Sequence, residues 1–130
     1  MKGTLLVVDD EPSILTTLKT LLEVSEFQVE TAQSAEEAIA KLKANAFDMV
    51  ITDLRMESDD SGYQVARAAS QADYQPAVAI LTAFPLLAQE WQEHGVQRLF
   101  LKPMRVRELV GQIEVILAAR EAEKLLQSAG

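Results

Sequence analysis

Short apolar runs alternate along the chain with longer stretches in which apolar positions recur every three or four residues. Residues 5–8 are continuously apolar and partly β-branched, the pattern of a strand covered on both faces. Residues 11–22 follow with Ile14, Leu15, Leu18, Leu21 and Leu22 on one helical face and Pro12 near the start, where its missing N–H removes no helical bond. A weaker strand is predicted over residues 28–31. Ser34 and Glu37 then have the spacing of a capping box, in which the hydroxyl accepts one orphan amide and the carboxylate reaches back to another. Ala35, Ala38, Ile39 and Leu42 form that helix's apolar stripe. Residues 49–52 read as a third strand, residues 55–62 as a polar loop, and Tyr63, Val65, Ala66 and Ala69 as the inner face of a third helix. Pro76 opens a fourth strand over 77–81. A shorter helix over 86–93 ends at Gly95, a natural residue just past a helix C-terminus. The fifth strand is predicted over 98–101. The last helix begins near Arg105 and turns Val106, Leu109, Val110, Ile113, Ile116 and Leu117 inward.

Five strands alternating with five helices predict an α/β domain with right-handed crossovers. The expected architecture is a flavodoxin-like (βα)5 fold, a doubly wound parallel five-stranded sheet in the order 2-1-3-4-5. A single domain is expected over residues 1–119. Residues 120–130, rich in helix formers, are read as a helical extension or the start of a linker. They hold too few heptads for a coiled coil, and a homodimer through them stays open.

Ligands of such sheets bind outside the carboxyl ends of the strands. There the chain places Asp9 and Asp10 after strand one, Thr52 and Asp53 after strand three, Thr82 after strand four, and Lys102 and Pro103 after strand five. Three carboxylates gathered in a partly buried site repel one another and call for a cation. Lys102 supplies one positive charge, and a hard divalent ion such as Mg²⁺ (or Mn²⁺) suits the rest. With both present, Asp53 can act as a nucleophile toward phosphorus, and Thr82 can donate to a phosphoryl oxygen. Taken singly, each residue has a plainer explanation as a turn, a cap or a solvated charge; their convergence at one sheet edge does not. The loop after strand one, Asp-Asp-Glu-Pro, repels a bare phosphate, and neither G-x-G-x-x-G nor G-K-[ST] occurs. A flavin or nucleotide cradle is therefore not expected. His94 reads as a surface residue, and Trp91 and Tyr63 as core or surface.

Bulk properties narrow the setting. There is no cysteine, which removes disulfides and thiolate metal sites. A net charge of −8 repels phosphate backbones, so direct nucleic-acid binding is not expected. No apolar run reaches membrane-spanning length or resembles a signal peptide. A cytoplasmic protein without membrane contact is expected.

The strings LLVVDDEPSI, ITDLRM, ILTA and FLKP stand in the order, and at nearly the spacing, of response-regulator receiver domains, the CheY-like modules of two-component signalling. The resemblance covers nearly the whole chain. It implies a phosphoprotein of a phosphorelay, with Asp53 as phosphoacceptor and Asp10 as a direct Mg²⁺ ligand. Asp9 would act indirectly, and the backbone carbonyl of Arg55 would complete the protein's share of the metal ligands. Lys102 would contact the phosphoryl group, and the Lys102–Pro103 bond would be cis. The implied partners are a histidine kinase or phosphotransfer protein, and an output domain or partner protein. The implied module is not an enzyme in the usual sense; it catalyses only its own phosphorylation and dephosphorylation.

The chain departs from the family pattern at four places. Glu57 stands where a Pro usually follows Met56, in a slightly long loop. Leu99 occupies the usual Tyr or Phe position on strand five, while Phe100 should face the opposite side. The stretch from Thr82 to Gly95 is short and contains Pro85, so the fourth helix is expected to be short or displaced. Met104 replaces the common Phe. Retained phosphoryl chemistry with a different relay is expected. The alternative is a phosphate-independent pseudo-receiver that keeps the fold as an interaction module. An aspartyl-nucleophile phosphatase is disfavoured: it would need a second Asp two residues after the nucleophile, and the chain has Glu11 after Asp9 and Arg55 after Asp53.

Overall fold

The computed structural model describes residues 2–83, 86 and 88–129. In chain order the elements are β1 (Thr4–Val8), α1 (Pro12–Val24), β2 (Gln28–Ala32), α2 (Ala35–Ala44), β3 (Met49–Thr52), α3 (Ser61–Ser70), β4 (Ala77–Thr82), α4 (Ala88–Gln92), β5 (Arg98–Leu101) and α5 (Val106–Ala129). The five strands form one parallel sheet in the order β2-β1-β3-β4-β5. The alternation predicted from the sequence is the alternation observed.

Strand position in the sheet explains why the elements differ in clarity. The central strands β1, β3 and β4 are covered on both faces and nearly every residue is buried, which is why they read as unbroken apolar runs. β2 is an edge strand that exposes Gln28 and half-buries Glu30 and Thr31, so its signal is diluted. The sheet divides the core into two apolar clusters. One packs Leu15 and Leu22 of α1 and Leu109, Ile113 and Ile116 of α5 against Leu5, Val7, Ile51, Ala79 and Phe100. The other packs α2 and α3, with Trp91 of α4 half-buried beside them, against Leu6, Val8, Val50, Val78 and Ile80. Leu99 joins the second cluster and Phe100 the first, the opposite facing that strand alternation requires.

Helix ends follow from local chemistry, with some shifts from expectation. Ser34 Oγ accepts the Glu37 N–H at 3.1 Å. Glu37 Oε2 reaches back to the N–H of Gln33, at 3.0 Å, one residue earlier than an ideal capping box. Leu21, expected inward, is 38% exposed, while its neighbour Leu22 is fully buried and fills the inward position of that turn. Val106, Val110 and Leu117 are half-buried, leaving Leu109, Ile113 and Ile116 as the buried stripe of α5. α4 is shorter than the predicted 86–93; Pro85 lies outside the described residues. Gly95 adopts φ +83°, the left-handed conformation that closes a helical segment without Cβ strain.

α5 continues past residue 119, and Arg120 ties it down. Its Nη1 donates to Asp48 Oδ1 at 2.9 Å, its Nη2 to Tyr74 O at 2.8 Å and its Nε to Gln75 O at 3.0 Å. Asp48 in turn accepts the Thr4 N–H through Oδ2 at 2.8 Å. One guanidinium thus joins α5 to the α3–β4 connection and, through Asp48, to the start of β1.

Candidate functional site

The carboxyl ends of β1, β3, β4 and β5 lie side by side because the sheet registers them. Val8 pairs with Thr52, Thr52 with Ile80, and Thr82 with Leu101. Backbone bonds continue the register into the loops: Asp53 N–H donates to Val8 O at 2.8 Å, Asp9 N–H to Ala32 O at 3.1 Å, and Lys102 N–H to Thr82 O at 2.8 Å. The residues singled out in the sequence therefore arrive at one edge on rigid strand ends.

Asp9, Asp10 and Asp53 each offer a carboxylate oxygen within 4.8 Å of the others. Asp9 is buried, Asp53 half-buried and Asp10 exposed. Lys102 Nζ lies 3.3 Å from Asp9 Oδ2 and 3.6 Å from Asp53 Oδ2. Asp9 Oδ1 accepts the Glu11 N–H at 3.0 Å, and Asp53 Oδ1 the Leu54 N–H at 2.8 Å. Each of these two carboxylates is thus held by one backbone amide on one oxygen and faces the ammonium with the other. Thr82 is buried at the last position of β4. Arg55 is exposed, two residues beyond Asp53. The Lys102–Pro103 bond is cis.

The electrostatics are those of a site short of positive charge. Burial pushes the Asp53 carboxyl above its ordinary value. Lys102 opposes this, the charges of Asp9 and Asp10 add to it, and the Leu54 N–H pulls it back. Among the described residues, three clustered carboxylates face the one ammonium of Lys102, and the ligand atoms they offer are oxygens. That donor set suits a hard divalent cation, which would relieve the repulsion Lys102 leaves uncompensated.

Two further features were not singled out as functional in the sequence. A Cβ built on Gly62 would lie 2.5 Å from Asp53 O and 2.7 Å from Leu54 Cα. Only a residue without a side chain lets α3 start this close to the Asp53 backbone, where the Gly62 N–H also donates to Leu54 O at 2.8 Å. The signal in the sequence was a glycine at a loop-to-helix junction. Second, the Tyr63 ring stacks on His94, with centroids 3.9 Å apart and planes at 17°. His94, two residues past the end of α4, is half-buried, so its reading as a surface residue holds only in part. The Tyr63 hydroxyl is buried without a hydrogen-bond partner among the described residues.

The profile of the response regulator receiver domain family matches residues 5–114. The chain belongs to the response-regulator receiver domain family. Among curated relatives, the receiver is 35% identical over 116 residues to the transcriptional regulatory protein ResD of Bacillus subtilis, covering 87% of this chain and 47% of ResD. It is 31% identical over 116 residues to the heme response regulator HssR of Staphylococcus saprophyticus, covering 88% of this chain and 51% of HssR. It thus spans about half the length of these relatives. Among solved structures, a CheY-like receiver domain protein from Methanospirillum hungatei superposes with a TM-score of 0.84 at 26% identity, covering 92% of this chain and 97% of that one. The response regulator TrrA of Thermotoga maritima, solved in complex with Mg²⁺-BeF, superposes with a TM-score of 0.76 at 28% identity, covering 87% of this receiver and 97% of TrrA. Among the described residues, no helix of the receiver is long and apolar enough to cross a membrane.

Proposed function

We propose that this receiver is a phosphorylation switch in which Asp53 accepts a phosphoryl group in a Mg²⁺-dependent reaction. The observation that carries the reading is the cluster of Asp9, Asp10 and Asp53 around Lys102. Asp10, Asp53 and the carbonyl of Arg55 would hold the metal, with Asp9 acting through water or hydrogen bonds. Bound there, Mg²⁺ would offset charge on the attacking carboxylate and on the phosphoryl oxygens. The complex of TrrA with Mg²⁺-BeF supports the same metal in a receiver of similar fold.

The rest of the chemistry falls to the chain's own groups. The Leu54 N–H fixes the Asp53 carboxylate so that Oδ2 faces Lys102. In the transfer, an Asp53 oxygen forms a bond to phosphorus while phosphorus parts from the donor atom, which keeps the electron pair. Lys102 stabilises the phosphoryl oxygens by charge, and the Thr82 hydroxyl donates to one of them. Reversal by water cleaves the acyl phosphate and restores the carboxylate. The donor would be the phosphohistidine of a histidine kinase or phosphotransfer protein. The phosphorylated state would alter a surface read by an output domain or partner in the cytoplasm.

A phosphate-independent interaction module is the second reading, favoured by Leu99, half-buried against the α2–α3 cluster where the family usually carries an aromatic. One experiment separates the two: intact mass after incubation with a small acyl phosphate and Mg²⁺, beside Asp53→Asn. A gain of one phosphoryl group that needs Mg²⁺ and is lost in the variant is expected. No gain in a chain that binds Mg²⁺ favours the second reading.

A further inference from the structure

Glu57 lies four residues past Asp53 and two past Arg55, at the position where the family pattern usually has a proline. Its Oε1 accepts the backbone N–H of Ala35 at 2.9 Å. Ala35 is the first residue of α2, and its amide has no acceptor within its own helix. The next two contacts at that terminus are local, Ser34 Oγ to the Glu37 N–H and Glu37 Oε2 to the Gln33 N–H. The third acceptor comes from a different part of the chain, the loop that follows Asp53. A carboxylate there also complements the positive end of the helix dipole.

The flanking residues show why Glu57 reaches across. Met56 is half-buried against the apolar cluster of α2 and α3, and its N–H donates to Ser58 O at 3.2 Å. The Ser58 N–H donates to the Oγ of buried Ser61 at 2.9 Å. Glu57 thus sits between two anchored neighbours, and its side chain adds a hydrogen bond from the loop to the start of α2. A proline would offer no side-chain acceptor and make no such link.

We infer that Glu57 is a positioning residue: by accepting the Ala35 N–H it holds the loop bearing Arg55 against α2 and so raises the affinity of the carboxylate cluster for Mg²⁺. The inference rests on the metal reading proposed above. A loop already held loses less freedom when it engages the ion, and the saving appears as affinity.

The test uses the full chain, with Mg²⁺ alone as the probe. Calorimetry gives the Mg²⁺ dissociation constant, and amide exchange by NMR without metal reports the Ala35 N–H. Glu57→Ala is expected to speed Ala35 exchange and to weaken Mg²⁺ binding, each about fivefold, the factor a lost cap represents. Glu57→Gln keeps an acceptor oxygen and should stay near the wild type in both. Glu36→Ala, which removes an exposed charge from the same helical turn, should leave Mg²⁺ binding unchanged. The inference is overturned if Glu57→Ala binds Mg²⁺ as the wild type does, or if Glu57→Gln or Glu36→Ala weakens binding as far as Glu57→Ala. A wild-type chain that takes up no Mg²⁺ removes the metal reading and this inference with it, while Ala35 exchange still reports the tie itself.

Discussion

Lys102 Nζ lies 3.6 Å from Asp53 Oδ2, reaching from the end of β5 to the end of β3 past the intervening β4. The same ammonium lies 3.3 Å from Asp9 Oδ2, so two of the three clustered carboxylates share it. Lys102→Ala should separate two properties that a purely structural role would move together. Phosphorylation of Asp53 should slow by about 10²-fold or more, as for loss of a group that meets transition-state charge. Mg²⁺ binding should tighten, because the pocket becomes more negative. Rates of mass gain and calorimetric titration check the two arms.

Asp53 makes stability depend on pH in a definite direction. Burial, the largest cause, raises its carboxyl above the ordinary 3.8, so the folded state holds that proton more tightly than the unfolded state. The stabilisation is complete below about that ordinary value and is lost as pH rises through the folded value. Without metal, Asp53→Asn should therefore melt higher than the wild type at neutral pH. The gap should close as pH falls toward the ordinary carboxylate range. Melting curves across that interval in a chelating buffer decide it; a wild type more stable than the variant at neutral pH would contradict the account.

Gly62→Ala should be among the most damaging small substitutions in the chain. The added methyl meets backbone, with Asp53 O at 2.5 Å and Leu54 Cα at 2.7 Å, and backbone yields less readily than a side-chain tip. A loss of about 1–3 kcal/mol is expected, the usual cost of overpacking. Urea unfolding measures it. Because the displaced atoms belong to Asp53 and Leu54, phosphorylation should fall even in the fraction that remains folded.

Arg120→Ala removes one carboxylate partner and two carbonyl partners at once. The expected cost is roughly 2 kcal/mol, in the range for hydrogen bonds to a charged group, read as a lower urea midpoint. Arg120→Lys should recover only part of it. A single ammonium can still face Asp48, but cannot serve Tyr74 O and Gln75 O in the guanidinium's fork.

The sequence made most of the fold legible because burial on both faces leaves a plain mark. Residues 5–8, 49–51 and 77–81 are runs with no polar interruption, and the polar residues that follow each, Asp9, Thr52 with Asp53, and Thr82, bring the chemistry. Lys102 stands in the same way after the apolar end of β5. Features made by contacts between distant segments were not legible. Glu57 capping Ala35, Arg120 joining Asp48, Tyr74 and Gln75, and Tyr63 stacking on His94 each link residues far apart in the chain, and no local periodicity encodes such a pairing. Gly62 could be noted as a turn residue, but its close approach to Asp53 O is a property of the packed backbone.

The Arg120 contacts also bear on how motion leaves the domain. Beyond residue 120, α5 runs nine more residues to Ala129, about 14 Å of helix at the usual rise, with Leu125 and Leu126 exposed. The guanidinium is a fulcrum for that segment, fixed to the floor of the sheet at the end away from the acidic cluster. A tilt of α5 about that point would therefore carry the two exposed leucines in the opposite sense to the cluster end and by less than half as much, because they lie five and six residues past the fulcrum and Val106 lies fourteen before it.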